Sequence, residues 1–181
     1  MKTLFITQGG GIILDPCAGR GHIVDSVNKF FNSYNICKGS DIHNHIIRFP
    51  IIDFLSDEYQ NFTGYNNIST IITNSPFKHM NEFIIKSLSL TKDKVIILGR
   101  IQVLESKVRY DEIYSKFPPT RVYVYVDRIV CSKSGFFDDD KNRNSMCYGW
   151  FVWDKHDNSK ITELKWLKSL NGSKIPLFDI K

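Results

Sequence analysis

Short apolar runs alternate with segments of helical periodicity along most of the chain. The runs that predict buried strands, each bounded by polar or turn-forming residues, are 11–14, 35–42, 69–73 and 94–101. Between them, apolar residues recur at helical spacing over 23–31 and over Met80–Leu90. Strands that alternate with helices predict an α/β fold with a mostly parallel sheet.

The last part of the chain has a different pattern. Residues 121–126 alternate in strand fashion, and residues 147–153 form a second β-rich run. A polar loop, 132–145, separates the two runs and predicts an antiparallel strand pair in the C-terminal part of the sheet. Trp150 and Trp153 are interpreted as core aromatics of the last strand, because residues of a packed strand are buried on both faces.

Length and composition limit the class of protein. A chain of 181 residues with 42% hydrophobic and 24% charged residues is typical of one globular domain, here 1–181, and excludes a disordered chain. No apolar run approaches the roughly 20 residues of a membrane helix, so no membrane partner is expected. The four cysteines form no Cys-x-x-Cys pair, which predicts reduced thiols in a cytoplasmic protein (the host cytoplasm if the source is viral).

The carboxyl ends of the predicted strands are where chemistry is expected, because ligands of open α/β sheets bind there. Four polar residues stand at or near these ends: Asp15, Asp41, Asp53 and Asn74. The net charge of +5 favours an anionic partner such as nucleic acid. No metal site is predicted, because His43 and His45 have no third ligand close in sequence.

The first predicted strand runs into a glycine loop, Asp15-Pro16-Cys17-Ala18-Gly19-Arg20-Gly21. Val24 stands where the dinucleotide fingerprint has its third glycine, so a nicotinamide enzyme is excluded. The loop resembles motif I of the S-adenosylmethionine-dependent methyltransferases. That resemblance implies a Rossmann-like class I methyltransferase domain, with S-adenosyl-L-methionine as cofactor. It implies a loop beneath the cofactor's amino-acid end and ribose, formed by Asp15, Pro16, Ala18, Gly19 and Gly21.

Two further acids match this family at the ends of the next strands. Asp41 lies 20 residues after Gly21, the spacing of an acid that binds ribose hydroxyls. Ile42 follows it in the expected cofactor site. The resemblance implies that Asp53 meets the adenine amino group and that Phe54 lies against the adenine ring.

Asn74-Ser75-Pro76-Phe77 resembles the Asn/Asp-Pro-Pro-Tyr/Phe motif of methyltransferases that modify amino nitrogens. The lone pair of an exocyclic amine is delocalised into its ring, and acceptors aimed at its hydrogens localise that pair. The Asn74 side-chain oxygen and the Ser75 carbonyl are the expected acceptors, Pro76 belongs to the same motif, and Phe77 would stack on the base. Ser75 stands where the family usually has proline. Asn74, at this position, is also expected to border the cofactor.

Covalent C5-cytosine chemistry is rejected, because its thiolate follows a later strand and the Pro-Cys pair here lies in the glycine loop. Segments 104–109 and 148–154 resemble stretches of small phage- and virus-type adenine methyltransferases. Four basic residues are candidates either for phosphate contacts or for solvated surface charge: Arg100, Lys107, Arg109 and Arg121.

The resemblance leaves several substrates open. DNA adenine N6 is the favoured target, and the alternatives are cytosine N4, RNA adenine, a protein glutamine amide, or an inactive cofactor-binding subunit that binds nucleic acid. No separate target-recognition domain is visible in the sequence. Sequence readout is therefore expected to be short or relaxed, or to be supplied by a partner subunit or a homodimer.

Overall fold

The aliphatic runs of the sequence form one seven-stranded sheet. The computed structural model describes residues 10–43, 45–61, 67–126 and 146–168. The strands are β1 (Ile12–Asp15), β2 (Cys37–Gly39), β3 (Ile68–Thr73), β4 (Lys94–Arg100), β5 (Arg121–Tyr125), β6 (Tyr148–Asp154) and β7 (Glu163–Leu167). The two longer helices are α1 (His22–Phe30) and α2 (Met80–Leu90). Shorter helical segments are Asp57–Asn61, Phe77–His79, Ile101–Leu104 and Lys107–Arg109, the last continuing as a π-helical turn, Tyr110–Tyr114.

The strand order is β2-β1-β3-β4-β6-β5-β7. The pairs β1–β2, β1–β3, β3–β4 and β5–β7 are parallel, whereas β6 runs antiparallel to both β4 and β5. The predicted α/β class, with a mostly parallel sheet and an antiparallel pair in the C-terminal part, is confirmed. Because β1, β3, β4 and β5 all run in one direction, they end at one edge of the sheet, called here the carboxyl edge.

Antiparallel β6 begins at the carboxyl edge. Its first residue, Tyr148, pairs with Arg100, the last residue of β4. On the neighbouring strand, Tyr125 also ends at this edge, and the next residue, Val126, donates its N–H to the carbonyl of Leu167 at the end of β7. The chain therefore leaves this edge after Val126 and returns to it before Tyr148. The predicted loop 132–145 lies outside the described residues.

The two faces of the sheet are covered by different helices. Side chains of successive strand residues point to opposite faces, so neighbours such as Ile96 and Ile97 belong to different core clusters. Val27 of α1 packs in the cluster on one face, and Ile84 of α2 packs in the cluster on the other. Apolar spacing along each helix thus accounts for the three-layer arrangement.

The interpretation of the two tryptophans as core residues is confirmed, since Trp150 is 4% exposed and Trp153 is 2% exposed. They lie on opposite faces of β6. Each buried indole N–H finds an acceptor, as an amphipathic ring requires. Trp150 Nε1 donates to the hydroxyl of Tyr125 at 2.7 Å, and Trp153 Nε1 donates to the carbonyl of Phe117 at 2.9 Å.

Two features differ from the sequence-based expectation. The second strand is shorter than 35–42, and a single parallel bridge between Asp41 and Ile51 continues its direction. Strand β7 was not predicted, because most of its residues are exposed and its sequence lacks a buried apolar stripe. The predicted single domain over 1–181 stays a prediction at both termini, which lie outside the described residues. Within the described ranges, neither helix is long and apolar enough to cross a membrane.

Gly149→Ala is expected to destabilise the fold by about 1–3 kcal/mol, because an added Cβ would lie 2.8 Å from the backbone carbonyl of Tyr123, which cannot rotate away. Gly99, its partner across the β4–β6 ladder, is the matched control. A Cβ there would meet only side-chain atoms, at 3.2 Å or more. Urea unfolding is expected to show a clearly smaller loss for Gly99→Ala, and equal losses would contradict this account.

Candidate active site

Backbone hydrogen bonds join the ends of β1 and β2 into one surface. The Ser40 N–H donates to the carbonyl of Asp15 at 3.0 Å, and the Ala18 N–H donates to the carbonyl of Ser40 at 2.9 Å. The loop after β1 is therefore held against the end of β2. The glycine loop and the Asp41 region, far apart in sequence, become neighbours at the carboxyl edge.

Asp41 holds the glycine loop through its carboxylate. The N–H of Gly19 donates to Oδ2 at 2.8 Å, and the N–H of His43 donates to Oδ1 at 2.9 Å. Gly19 has a φ of +52°, a left-handed conformation that favours glycine. Asp41 is 8% exposed. A carboxylate has about four acceptor sites, so each oxygen keeps a lone pair for a further donor.

Phe49 is a site residue that the sequence analysis missed. A Cβ added at Gly21 would lie 2.9 Å from its ring, and one added at Gly39 would lie 2.8 Å from it. The guanidinium of Arg48 stacks on the same ring, 4.9 Å from its centroid. Phe49 therefore occupies the space that the missing side chains leave. Nothing in the apolar stretch 46–52 singles out Phe49 over its neighbours, so the sequence offers no local signal for this role.

Asp15 is a buried acid with one unsatisfied oxygen. The N–H of Cys17 donates to Oδ1 at 3.1 Å, while Oδ2 is buried and has no partner among the described residues. Burial raises the pKa of Asp15 to about 7; the charge of Asp41 adds to this rise, and the Thr73 hydroxyl and the Cys17 N–H oppose it. The Thr73 hydroxyl is buried as well; it is near enough to Asp15 to favour the charged carboxylate, but the two do not form a hydrogen bond of acceptable geometry. Such an oxygen is suited to a donor that arrives with a ligand.

The surroundings of Cys17 show that the predicted acids converge. Burial raises the pKa of this thiol well above its usual value, and the charges of Asp15, Asp41 and Asp53 raise the pKa further. Three carboxylates, one at the end of β1 and two from the connection between β2 and β3, therefore lie close enough to act on one sulfur. A thiol in this field is not a thiolate nucleophile, which agrees with the rejection of covalent C5 chemistry.

Of the residues expected around the adenine, Asp53 is exposed and Phe54 is buried. Asp53 is exposed, and its Oδ1 accepts the N–H of Leu55 at 2.8 Å, as in a turn. Phe54 is only 2% exposed and packs against Tyr59 and Phe83, with ring centroids 4.9 Å apart in each pair. Its ring faces the core, so the expectation that it covers the adenine is corrected. Ile42, 51% exposed, and Ile51, 60% exposed and bridged to Asp41, are apolar side chains available at this edge.

The segment after β3 exposes three of its four motif residues. Asn74 and Phe77 are exposed, as is Pro76, whereas Ser75 is 3% exposed. The Ser75 hydroxyl donates to the sulfur of Met80 at 3.5 Å. The serine that replaces the usual proline therefore faces inward and fastens the segment to the first residue of α2.

Phe77 is in contact with the last residue of β4 and with the first residue of β6. Its ring is 38% exposed. The ring of Tyr148 lies 6.0 Å away at a tilt of 36°, and the guanidinium of Arg100 lies over the Phe77 ring, 4.7 Å from its centroid. Aromatic and cationic groups thus cluster beside Asn74. In the described part of the chain, no group of three or more His, Cys, Asp or Glu residues is placed to hold a metal ion.

Comparisons with known proteins place the fold but not a family. No protein-family model matches the chain, and no curated protein matches it in sequence. A methyltransferase subunit of a type I restriction-modification system from Streptococcus thermophilus aligns with a TM-score of 0.66 and 12% identity. This alignment covers 96% of this chain and 46% of that chain. The present chain thus spans less than half of that subunit.

A putative hemolysin from Lactococcus lactis aligns with a TM-score of 0.58 and 10% identity, over 92% of this chain and 88% of that chain. A dimethyladenosine transferase from Plasmodium falciparum aligns with a TM-score of 0.48 and 14% identity, over 86% of this chain and 59% of that chain. The chain has the fold of a methyltransferase subunit, which the first alignment shows. Because a differently described protein shares that fold, function must be argued from the site.

Asp15→Asn is expected to become more stable relative to the wild type as the pH rises from 4 to 7. The raised pKa of Asp15 means that the folded state holds the proton longer than the unfolded state. The wild type is therefore favoured below pH 3.8 and loses this advantage as pH rises towards 7, by at most about 4 kcal/mol. Unfolding by urea at several pH values measures the difference. A constant difference between variant and wild type would contradict the raised pKa.

Proposed function

We propose that this protein transfers a methyl group from S-adenosyl-L-methionine to an exocyclic amino nitrogen, adenine N6 of DNA being the favoured acceptor. The observation that carries the proposal is the segment after β3. It presents Asn74 and Phe77 to solvent directly beside the strand that ends in the glycine loop. The methyltransferase fold supports the proposal without choosing the substrate.

The residues at the ends of β1 and β2 fit the cofactor. The partnerless Oδ2 of Asp15 is an acceptor suited to an ammonium group, such as that of the methionine end. The free lone pairs of Asp41 suit two ribose hydroxyls, and exposed Ile42 offers an apolar surface to an adenine ring. Asp53 is the proposed partner of the adenine amino group. When bound, S-adenosyl-L-methionine supplies an electrophilic methyl group on a cationic sulfonium.

In the proposed reaction, Asn74 is the residue that activates the acceptor amine. Its side-chain oxygen and the Ser75 carbonyl accept hydrogen bonds from the amine, which localises the nitrogen lone pair for attack. This requires a fixed loop, and the Ser75–Met80 contact supplies one fastening. No thiolate takes part, in keeping with the raised pKa of Cys17. Positioning is then the main catalytic contribution.

Phe77 supports an aromatic acceptor over an aliphatic one. A target base must leave its duplex to place its amine against Asn74, and stacking on an aromatic ring offsets part of that cost. The net charge of +5 agrees with a nucleic-acid substrate. The aligned restriction-modification subunit is a component of a larger system, so we also propose that a partner subunit or a second copy of this chain supplies target recognition.

Incubation with S-adenosyl-L-methionine and unmethylated DNA, single- and double-stranded, is expected to yield N6-methyladenine in digested nucleosides, measured by mass spectrometry. RNA and a protein mixture are tested in parallel. Asn74→Ala is expected to lower turnover by about 100-fold or more, because the amine loses a positioned acceptor, while cofactor affinity changes by less than about twofold.

Asn35→Ala is the matched control, since Asn35 is an exposed asparagine away from the segment after β3. It is expected to retain full turnover. Methylcytosine, methylated RNA or methylated glutamine would replace adenine N6 of DNA as the substrate. Cofactor binding without any methylated product would favour the inactive subunit, and full activity of Asn74→Ala would remove Asn74 from its proposed role.

Asp41→Ala is expected to weaken cofactor binding by about 10- to 100-fold, because both the ribose acceptor and the anchor of Gly19 are lost. Isothermal titration calorimetry measures the affinity. Asp57→Ala removes the same charge from the exposed 3₁₀ turn Asp57–Asn61 and serves as control. If the two variants bind the cofactor equally well, Asp41 is not a cofactor ligand.

A further inference from the structure

The structure distinguishes between basic residues that the sequence offers as equal candidates for phosphate contacts. Arg109 is used internally, because its Nε donates to the side-chain oxygen of Asn81 at 2.8 Å and its guanidinium also donates to the carbonyl of Val103 at 2.6 Å. Arg121 pairs with Glu163 at 3.1 Å and begins β5, at the edge opposite to the candidate active site. Arg100 is placed differently from both.

Arg100 ends β4 at the carboxyl edge, one strand away from the segment that contains Asn74. Its guanidinium lies over the ring of Phe77. Its Nε is buried and has no acceptor within the described residues. No carboxylate of the described ranges forms an ion pair with it. The side chain is thus held at the site by stacking, with its hydrogen-bonding capacity unfilled.

An arginine in this condition is suited to an anionic oxygen ligand. A buried N–H without an acceptor is unfavourable, and a ligand oxygen that reaches it removes that penalty. The planar guanidinium matches the oxygens of a phosphate in a bidentate geometry. Among the described residues, the acids around Cys17 lie at the end of β1 and between β2 and β3, so Arg100 lies at the less acidic part of the described edge.

The ring of Phe77 connects Arg100 to the acceptor base. While the guanidinium lies over this ring, the face beneath it is closed to a base. Because the arginine side chain is long and flexible, its guanidinium can move to a neighbouring phosphate as a base stacks on the ring. The stacking contact with Phe77 is replaced by a hydrogen bond to the phosphate, which gives the Nε–H of Arg100 an acceptor.

We propose that Arg100 binds the phosphodiester next to the target nucleotide and leaves the ring of Phe77 when the target base stacks there. This inference rests on the proposed function, methylation of a base in nucleic acid. It makes Arg100 a substrate-binding residue for the backbone of the strand, with no role in reading its sequence.

The test measures binding of a short labelled single-stranded DNA by fluorescence anisotropy at several salt concentrations. For Arg100→Gln, affinity is expected to fall, and the slope of log K against log salt to decrease in magnitude by about 0.7, the value for one phosphate contact on a single strand. Arg100→Lys keeps the charge and is expected to keep the slope. Lys116→Gln is the charge-matched control, because exposed Lys116 lies beside Thr120, at the opposite edge.

Cofactor affinity and the unfolding midpoint of each variant show whether it is folded. If Arg100→Gln is not folded, Arg100→Met, which removes the charge but keeps a long side chain next to Phe77, takes its place with the same expected decrease in slope. If wild-type protein methylates DNA and Arg100→Gln retains the wild-type salt slope, the phosphate contact is refuted while the proposed function stands. If wild-type protein binds no nucleic acid and methylates a protein instead, the proposed function fails, and the inference fails with it.

Discussion

The hydrogen bond from the Gly19 N–H to the carboxylate of Asp41 is the contact on which the candidate site depends. It joins the loop after β1 to the end of β2, and it holds a backbone conformation that favours glycine. The same carboxylate also accepts the N–H of His43. One side chain therefore sets the shape of two loops while it keeps lone pairs for a ligand.

The direction of the strands explains why the other parts of the site meet. Parallel strands end at one edge, so the acids after β1 and β2 lie beside the Asn74 segment after β3. Antiparallel β6 contributes its beginning instead of its end, and Tyr148 thereby reaches Phe77. The reversal of β6 thus adds an aromatic ring to the place where parallel β4 ends in Arg100.

The sequence predicted the parts of the site whose signals are local. The glycine loop, Asp41 and the Asn74 segment each stand at a strand end, and strand ends can be predicted from where apolar runs stop. Phe54 was misplaced because its environment is set by Tyr59 and Phe83, the latter distant in sequence. Phe49 and the stacking of Arg100 on Phe77 were missed for the same reason, since each depends on packing between segments that are far apart along the chain. Strand β7 has no buried apolar stripe, because it is the outermost strand of the sheet and most of its residues are exposed.

The way the chain leaves and re-enters the carboxyl edge has a consequence for divergence among related proteins. Val126 and Tyr148 are anchored by backbone pairing to the sheet, so the stretch between them can change in length or composition without altering a strand register. The pairing of β5 with β7 and of β6 with β4 therefore does not depend on which residues join Val126 to Tyr148. Evolution can change this connection while the sheet is inherited unchanged.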